Sequence, residues 1–184
     1  MSEVIVLDTF NKRNIADLVE NLMETQVNIP IVPGGKILLK PNLSSSNHPE
    51  TGATTHLEIL EGVARFLMRK KYKVTIVESD PTNSAFDETA NLLQLYTLQE
   101  STGAKIVNLT KRTQRKVLLK GLHTNLEVTI ADDVLNADAI INLPVVKTHI
   151  LTGASLGIKN LFGLISEKNK SQCICISASC LSDS

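Results

Sequence analysis

The chain has 184 residues, 42% of them apolar, with 19 Lys and Arg against 19 Asp and Glu. That length suits one compact α/β domain, and the balanced charge supplies no basic field to draw in nucleic acid or an anionic membrane surface. No apolar run reaches the roughly 20 residues of a membrane span, and 3% aromatic content without Trp gives no platform for stacking bases.

The start, Glu3-Val4-Ile5-Val6-Leu7-Asp8, is acidic and lacks the basic n-region of a signal peptide, so a cytoplasmic protein is expected. Residues 3–7 predict a first strand. Over residues 14–24, Ile15, Leu18, Val19 and Leu22 recur at the helical period, with Asn11 or Asn14 placed to cap. Pro30, Pro33, Gly34 and Gly35 mark a loop. Residues 36–39 form a second strand that Pro41 ends, holding Lys40 extended. Residues 43–52 are polar and read as a loop. In the helix that follows, Thr55 and Glu58 have capping-box spacing, and Leu60, Val63, Ala64 and Leu67 form the buried stripe. Arg69, Lys70 and Lys71 sit at the negative end of its dipole.

Residues 73–77 predict a third strand ending at Glu78-Ser79-Asp80-Pro81. Residues 87–99 predict one helix stopped near Gly103, and residues 105–109 a fourth strand. Residues 116–119 and 126–130 read as an antiparallel hairpin through residues 121–125, and 132–137 as a helical turn. Residues 139–143, Ala-Ile-Ile-Asn-Leu, read as a strand covered on both faces. Beyond Ser166 the chain becomes charged and then rich in Ser and Cys, so one domain is expected over residues 1–166 and a divergent tail over 167–184. The expected fold is α/β: a mostly parallel sheet with helices on both faces, three-layered and Rossmann-like, plus the antiparallel hairpin.

The clusters that carry chemistry fall at strand ends. Lys40-Pro41-Asn42 offers an ammonium and an amide to a phosphate or carboxylate; the ordinary alternative is an Asx turn after an edge strand. Thr54, Thr55 and His56 open a helix, whose first N–H groups attract anions, although a capping box accounts for Thr55 without any ligand. Glu78 and Asp80 can hold a divalent metal, pair with Lys40 or exchange protons; alternatively Asp80 sets a turn or caps a helix. Lys147-Thr148-His149 combines a cation with an imidazole able to move a proton near neutral pH, and the plain alternative is a surface loop. Lys159 and Asn160 add donors after Gly153 and Gly157, in a stretch that matches neither a Walker A nor a Gly-x-Gly-x-x-Gly pattern. Cys173, Cys175 and Cys180 are too sparse for a zinc site and lack ferredoxin spacing, so they read as incidental thiols.

Four segments in order resemble the uncharacterised, mostly prokaryotic family catalogued as domain of unknown function 362. They are Ile37-Leu38-Leu39-Lys40-Pro41-Asn42-Leu43, Thr51-Gly52-Ala53-Thr54-Thr55-His56, Ile140-Ile141-Asn142-Leu143-Pro144-Val145-Val146-Lys147-Thr148-His149 and Leu156-Gly157-Ile158-Lys159-Asn160-Leu161-Phe162-Gly163. The resemblance implies no established reaction. Some members carry ferredoxin-type modules, which implies redox or anaerobic metabolism, and members usually continue with further α/β structure beyond the last segment. On that ground a truncated, non-catalytic remnant is one expectation for this chain. The alternative to truncation is action with a partner or as a homo-oligomer. A redox-associated protein, docking an iron–sulfur partner or holding a cluster through Cys173, Cys175 and Cys180, is another expectation. The leading expectation is a protein, enzyme or not, that binds a small phosphorylated or carboxylated molecule. Lys147, His149 and Glu78 would carry any chemistry, and Lys40, Asn42, Thr54, Thr55, His56, Lys159 and Asn160 would bind the ligand. A divalent metal stays open as cofactor, no iron–sulfur motif is present, and neither nucleic acid nor membrane is expected as a partner.

Overall fold

The computed structural model describes residues 4–9, 11–43, 47–80, 85–120, 125–149, 153–166 and 169. Its centre is a four-stranded sheet of β1 (Lys36–Pro41), β2 (Lys73–Glu78), β3 (Lys105–Asn108) and β6 (Ala139–Leu143), in the order β3-β2-β1-β6. All three pairings are parallel, with Leu39 beside both Ile76 and Ile141. The chain builds outward from β1 to β3 and then returns to the opposite side of β1. The sheet therefore reverses its winding between β1 and β6.

Alternation along β1 explains the two faces. Ile37 and Leu39 join Val74 and Ile76 in the larger core, under α1 (Ile15–Gln26), α2 (Leu57–Arg69) and α4 (Leu95–Thr102). Leu38 and Val77 point the other way, into a smaller cluster with Leu109, Ala131 and Leu164. This second face is covered by the hairpin β4 (Gln114–Lys120) and β5 (Asn125–Ala131), the short helix α5 (Asp132–Leu135) and a 3-10 turn, Leu161–Leu164. The α/β fold, the parallel sheet and the hairpin are as the sequence predicts, with the heavier helical layer on one face only.

Several local expectations give way to tertiary structure. Of the strand expected over residues 3–7, Glu3 lies outside the described residues and residues 4–7 form no strand, with Val4 and Val6 85% and 87% exposed. An apolar run is not a strand until a neighbour takes its N–H and C=O groups, and no described strand does so. The helix expected over 87–99 is two, α3 (Phe86–Leu92) and α4, because Gln94 adopts a left-handed φ of 54° between them. β6 is an edge strand among the described residues, and its Ile140 is exposed rather than covered on both faces. The stretch read as loops after β6 contains a small antiparallel ladder, β7 (Lys147–His149) with β8 (Gly153–Ser155), followed by α6 (Gly157–Asn160). Of the expected tail only Asn169 is described; its side-chain oxygen accepts from Thr129 N at 2.8 Å and so ties it to β5. The three cysteines and the hairpin turn at 121–124 lie outside the described residues.

No described helix is long and apolar enough to cross a membrane. Helices α1 and α2 meet at Gly62, where an added Cβ would lie 2.8 Å from Val19 Cβ and closer still to the Ala16 carbonyl oxygen. In an open helix Gly→Ala stabilises by about 1 kcal/mol. Here the contact is with backbone and cannot give way, so Gly62→Ala should instead destabilise by roughly 1–3 kcal/mol in urea denaturation.

Candidate functional site

The carboxyl ends of β1, β2 and β6 meet at one edge. Lys40 Nζ, fully buried at 0% exposure, donates to Glu78 Oε2 at 2.5 Å and to the Pro41 carbonyl oxygen at 2.6 Å. Glu78 also accepts from Ser79 N at 3.1 Å and from Leu43 N at 3.4 Å. Each end of the pair is thereby hydrogen-bonded as well as charged, the condition under which an ion pair can exist inside a protein. Of the three uses open to Glu78 (metal ligand, partner of Lys40, proton carrier) the structure shows the pairing, and Lys40, expected as an anion ligand, lies in that internal pair below the rim. Gly163 closes over them. A Cβ there would lie 2.5 Å from Lys40 Cε and 2.7 Å from Nζ, and would strike Glu78 Oε1.

Around this pair a set of side chains sews the strand ends together. Thr55 Oγ1 donates to Leu143 O at 2.7 Å and accepts from Asn42 N at 2.8 Å, while Thr55 N donates to Asn42 O at 3.0 Å. The capping box expected of Thr55 and Glu58 does not form. The helix begins at Leu57 with His56 as its N-cap, and the Thr55 hydroxyl bridges β1 to β6 instead. Asn160 Nδ2 donates to Lys40 O at 3.0 Å and to Asn142 Oδ1 at 2.8 Å, and Asn142 Nδ2 donates to Gly157 O at 2.7 Å. The register that puts Lys40 beside Asn142 sets up this chain of amides. Thr54 is buried, with its hydroxyl on Asn47 O at 2.9 Å. Asp80 takes the structural role open to it: Oδ1 accepts from Phe86 N at the start of α3 and from Asn108 Nδ2, both at 2.9 Å.

Above this floor stand Lys147, His149 and Lys159. The short β7–β8 ladder holds the first two, and α6 holds the third. Lys147 Nζ donates to Ala53 O at 2.7 Å and lies 3.4 Å from Asn42 Oδ1, so cations and amides separated by about a hundred residues do share one rim. Lys147 and Lys159 are half-buried. Burial lowers the pKa of both below the usual lysine value, and the charge of Lys159 lowers that of Lys147 further. His149 is held below the usual histidine value by burial, then by Lys159, then by Lys147. Such a group is a neutral imidazole at pH 7, able to accept a proton. Beside Lys147 opens a cleft of about 420 Å³, lined by Thr54, Thr55, His56, Ile59 and the chain from Asn142 to Val145. Among the described residues no set of three or more His, Cys, Asp or Glu side chains is placed to hold a metal ion.

The edge thus brings together the three residues assigned to chemistry and the seven assigned to ligand binding, at two depths. Asn142, Gly157 and Gly163 are added by the structure. Asn142 has a sequence signal, an amide in an otherwise apolar strand, and both glycines lie in the last of the four family-like segments; the need for glycine at 163 is not visible there, because it comes from Lys40 and Glu78 across the fold.

A family model described as Domain of unknown function (DUF362) matches residues 37–178. The Thylakoid-associated protein sll1697 of Synechocystis sp. is 30% identical to this chain over 140 residues, covering 76% of the chain and 42% of that relative. The chain thus spans about two-fifths of the length of the curated relative it matches.

Removing one member of a buried pair strands the other, at a cost of roughly 3–5 kcal/mol. Lys40→Met should lose about that much in urea denaturation. Adding Glu78→Gln, which removes the stranded charge and keeps an acceptor for Ser79 N, should restore most of it. A double variant no more stable than the single one would mean the two charges are not coupled.

Proposed function

The chain belongs to the Domain of unknown function (DUF362) family, and on that footing we propose that it binds a phosphorylated or carboxylated small molecule at the carboxyl edge of its parallel sheet. The observation that carries this reading is the pair of half-buried ammonium groups, Lys147 and Lys159, whose charged forms are held at a cost by burial. An anion between them would offset that cost and gain charge-assisted hydrogen bonds. The place supports it too. In open α/β sheets ligands sit outside the carboxyl ends of the strands where the winding reverses, and here that is between β1 and β6.

In this reading Lys147 and Lys159 neutralise the anion and His149 gives or takes a proton beside it. Asn42, Thr54, Thr55, His56 and Asn160 shape the rim, and the Lys40–Glu78 pair holds the floor rigid. His149 is the group through which binding becomes catalysis, if the ligand has a proton to lose. We place the protein in the cytoplasm; the thylakoid association in the relative's name gives the competing location, and fractionation of cells separates the two.

Sulfate tests the site, because its charge is constant across the relevant pH. Added sulfate should raise the melting temperature, with a gain that grows as the logarithm of its concentration once that exceeds Kd. Lys147→Met and Lys159→Met should each weaken binding about ten- to hundredfold, the worth of one hydrogen bond to a charged group. An unchanged response in both variants would remove the site.

The pH dependence has a definite sign. Lys147, Lys159 and His149 have lowered pKa values in the folded chain and ordinary ones when unfolded, so the unfolded state binds more protons between the two. Without anion, their penalty is full below the lowered values, and stability rises with pH through the windows ending near 6.5 for His149 and 10.5 for the lysines. Bound sulfate should flatten that rise by restoring the charged forms, and sulfate affinity should fall as pH climbs through the lowered lysine range. Melting curves at several pH values, with and without sulfate, read both effects.

A further inference from the structure

The anion site has an apolar annex. The cleft of about 420 Å³ beside Lys147 lies in the roughly 300–1,000 Å³ range of small-molecule sites. Ile59, Leu143, Pro144 and Val145 form much of its wall. Polar residues also line it, but most are already engaged within the protein. The Thr54 hydroxyl donates to Asn47 O, the Thr55 hydroxyl to Leu143 O, and the Asn142 amide donates to Gly157 O and accepts from Asn160. A ligand group entering the cleft therefore meets hydrocarbon and satisfied hydrogen bonds, with His56 as the exception. A polar ligand such as a sugar would lose its water there and gain little in return.

The cleft and the cations share a wall. Gly52 and Thr54 line the cleft, and the carbonyl of Ala53 between them accepts from Lys147 Nζ at 2.7 Å. Val145 lines it two residues before Lys147. The rim itself is apolar beyond what packing requires: Val146 is 79% exposed and Ile158, beside Lys159, 83%. Cations at the mouth and hydrocarbon within make one amphipathic surface.

Resting on the anion-site reading above, we propose that the ligand is an amphipathic anion: a soluble molecule with a phosphate or carboxylate head on Lys147 and Lys159 and an aliphatic body of a few carbons in the cleft. The head brings the charge that the lysines need. The body displaces water from a surface that offers it few partners.

Methyl phosphate and hexyl phosphate carry the same head and differ only in hydrocarbon, so calorimetric titration of the full chain with each isolates the cleft. Each methylene buried should tighten binding about three- to fourfold, and even partial burial of the longer tail should make hexyl phosphate at least about 30-fold tighter. Ile59→Thr and Val145→Thr should each cut that advantage several-fold and leave methyl phosphate unchanged. If Ile59→Thr fails to fold, Val145→Thr at the cleft margin still gives the answer. Lys147→Met should weaken both ligands.

Equal affinity for the two phosphates would overturn the inference and leave the anion site standing. No binding of either would bring down the anion site itself. A hexyl advantage that survives both Thr variants would place the tail elsewhere and also overturn it. So would binding to phosphatidylcholine vesicles containing phosphatidate without any response to hexyl phosphate, since the ligand would then be a bilayer surface.

Discussion

The ion pair between Lys40 and Glu78 is the constraint on which the rest of this edge depends. It joins the last turns of β1 and β2 below the surface, and its neighbours are fixed by what it needs. Pro41 O, Ser79 N and Leu43 N complete its hydrogen bonds. Gly163 must be glycine because any side chain would enter the space of both partners. A charge this deep tolerates little displacement, since movement that lengthens the bond leaves two buried ions uncompensated. The pair therefore works as a rigid floor, and strand ends that would otherwise fray are held to a single geometry.

The second layer of organisation is neutral. Thr55, Asn142 and Asn160 each serve two strands or segments, so the crossing from β1 to β6 and on to α6 is closed by amide and hydroxyl bonds. These bonds replace backbone pairing where the sheet ends, and they use up the polar groups that would otherwise have to face a ligand. Rigidity at the switch in winding, with few unengaged dipoles, is what makes the adjoining cleft apolar although threonines and an asparagine line it.

Much of this was legible in the sequence because strand and helix periods are local. The runs at 36–39, 73–77 and 105–109 carry their own pattern, and the polar residues after each are visible as interruptions. Convergence of Lys40, Glu78, Asn142 and Lys147 follows once the strands are parallel. The depth of each residue was not legible. Lys40 reads as a ligand because a lysine at a strand end is usually wet, and Glu78 reads equally as its partner, a metal ligand or a proton carrier; the contact between the ends of β1 and β2 decides for the pair. Thr55 and Glu58 have capping-box spacing, but the hydroxyl gains more by bridging two strands than by capping one helix. The β7–β8 ladder is too short to show a period, and Gln94 gives no sign that it will break a helix. Residues 4–7 fail in the opposite direction: their pattern is that of a strand, but no described strand runs beside them.

The three lysines illustrate how one side-chain type divides its work by environment. Lys40 is fully desolvated and fully compensated, so its charge stabilises the floor and is unavailable to anything outside. Lys147 and Lys159 are half-desolvated, and burial and mutual repulsion make their charge expensive. Repulsion between two ammonium groups belongs to the pair, so whichever one loses its proton relieves the other. A protein selected for stability alone would replace one of them with a neutral residue. Keeping both beside a rigid floor and an apolar cleft carries a cost, and an anion bound as proposed above would offset it.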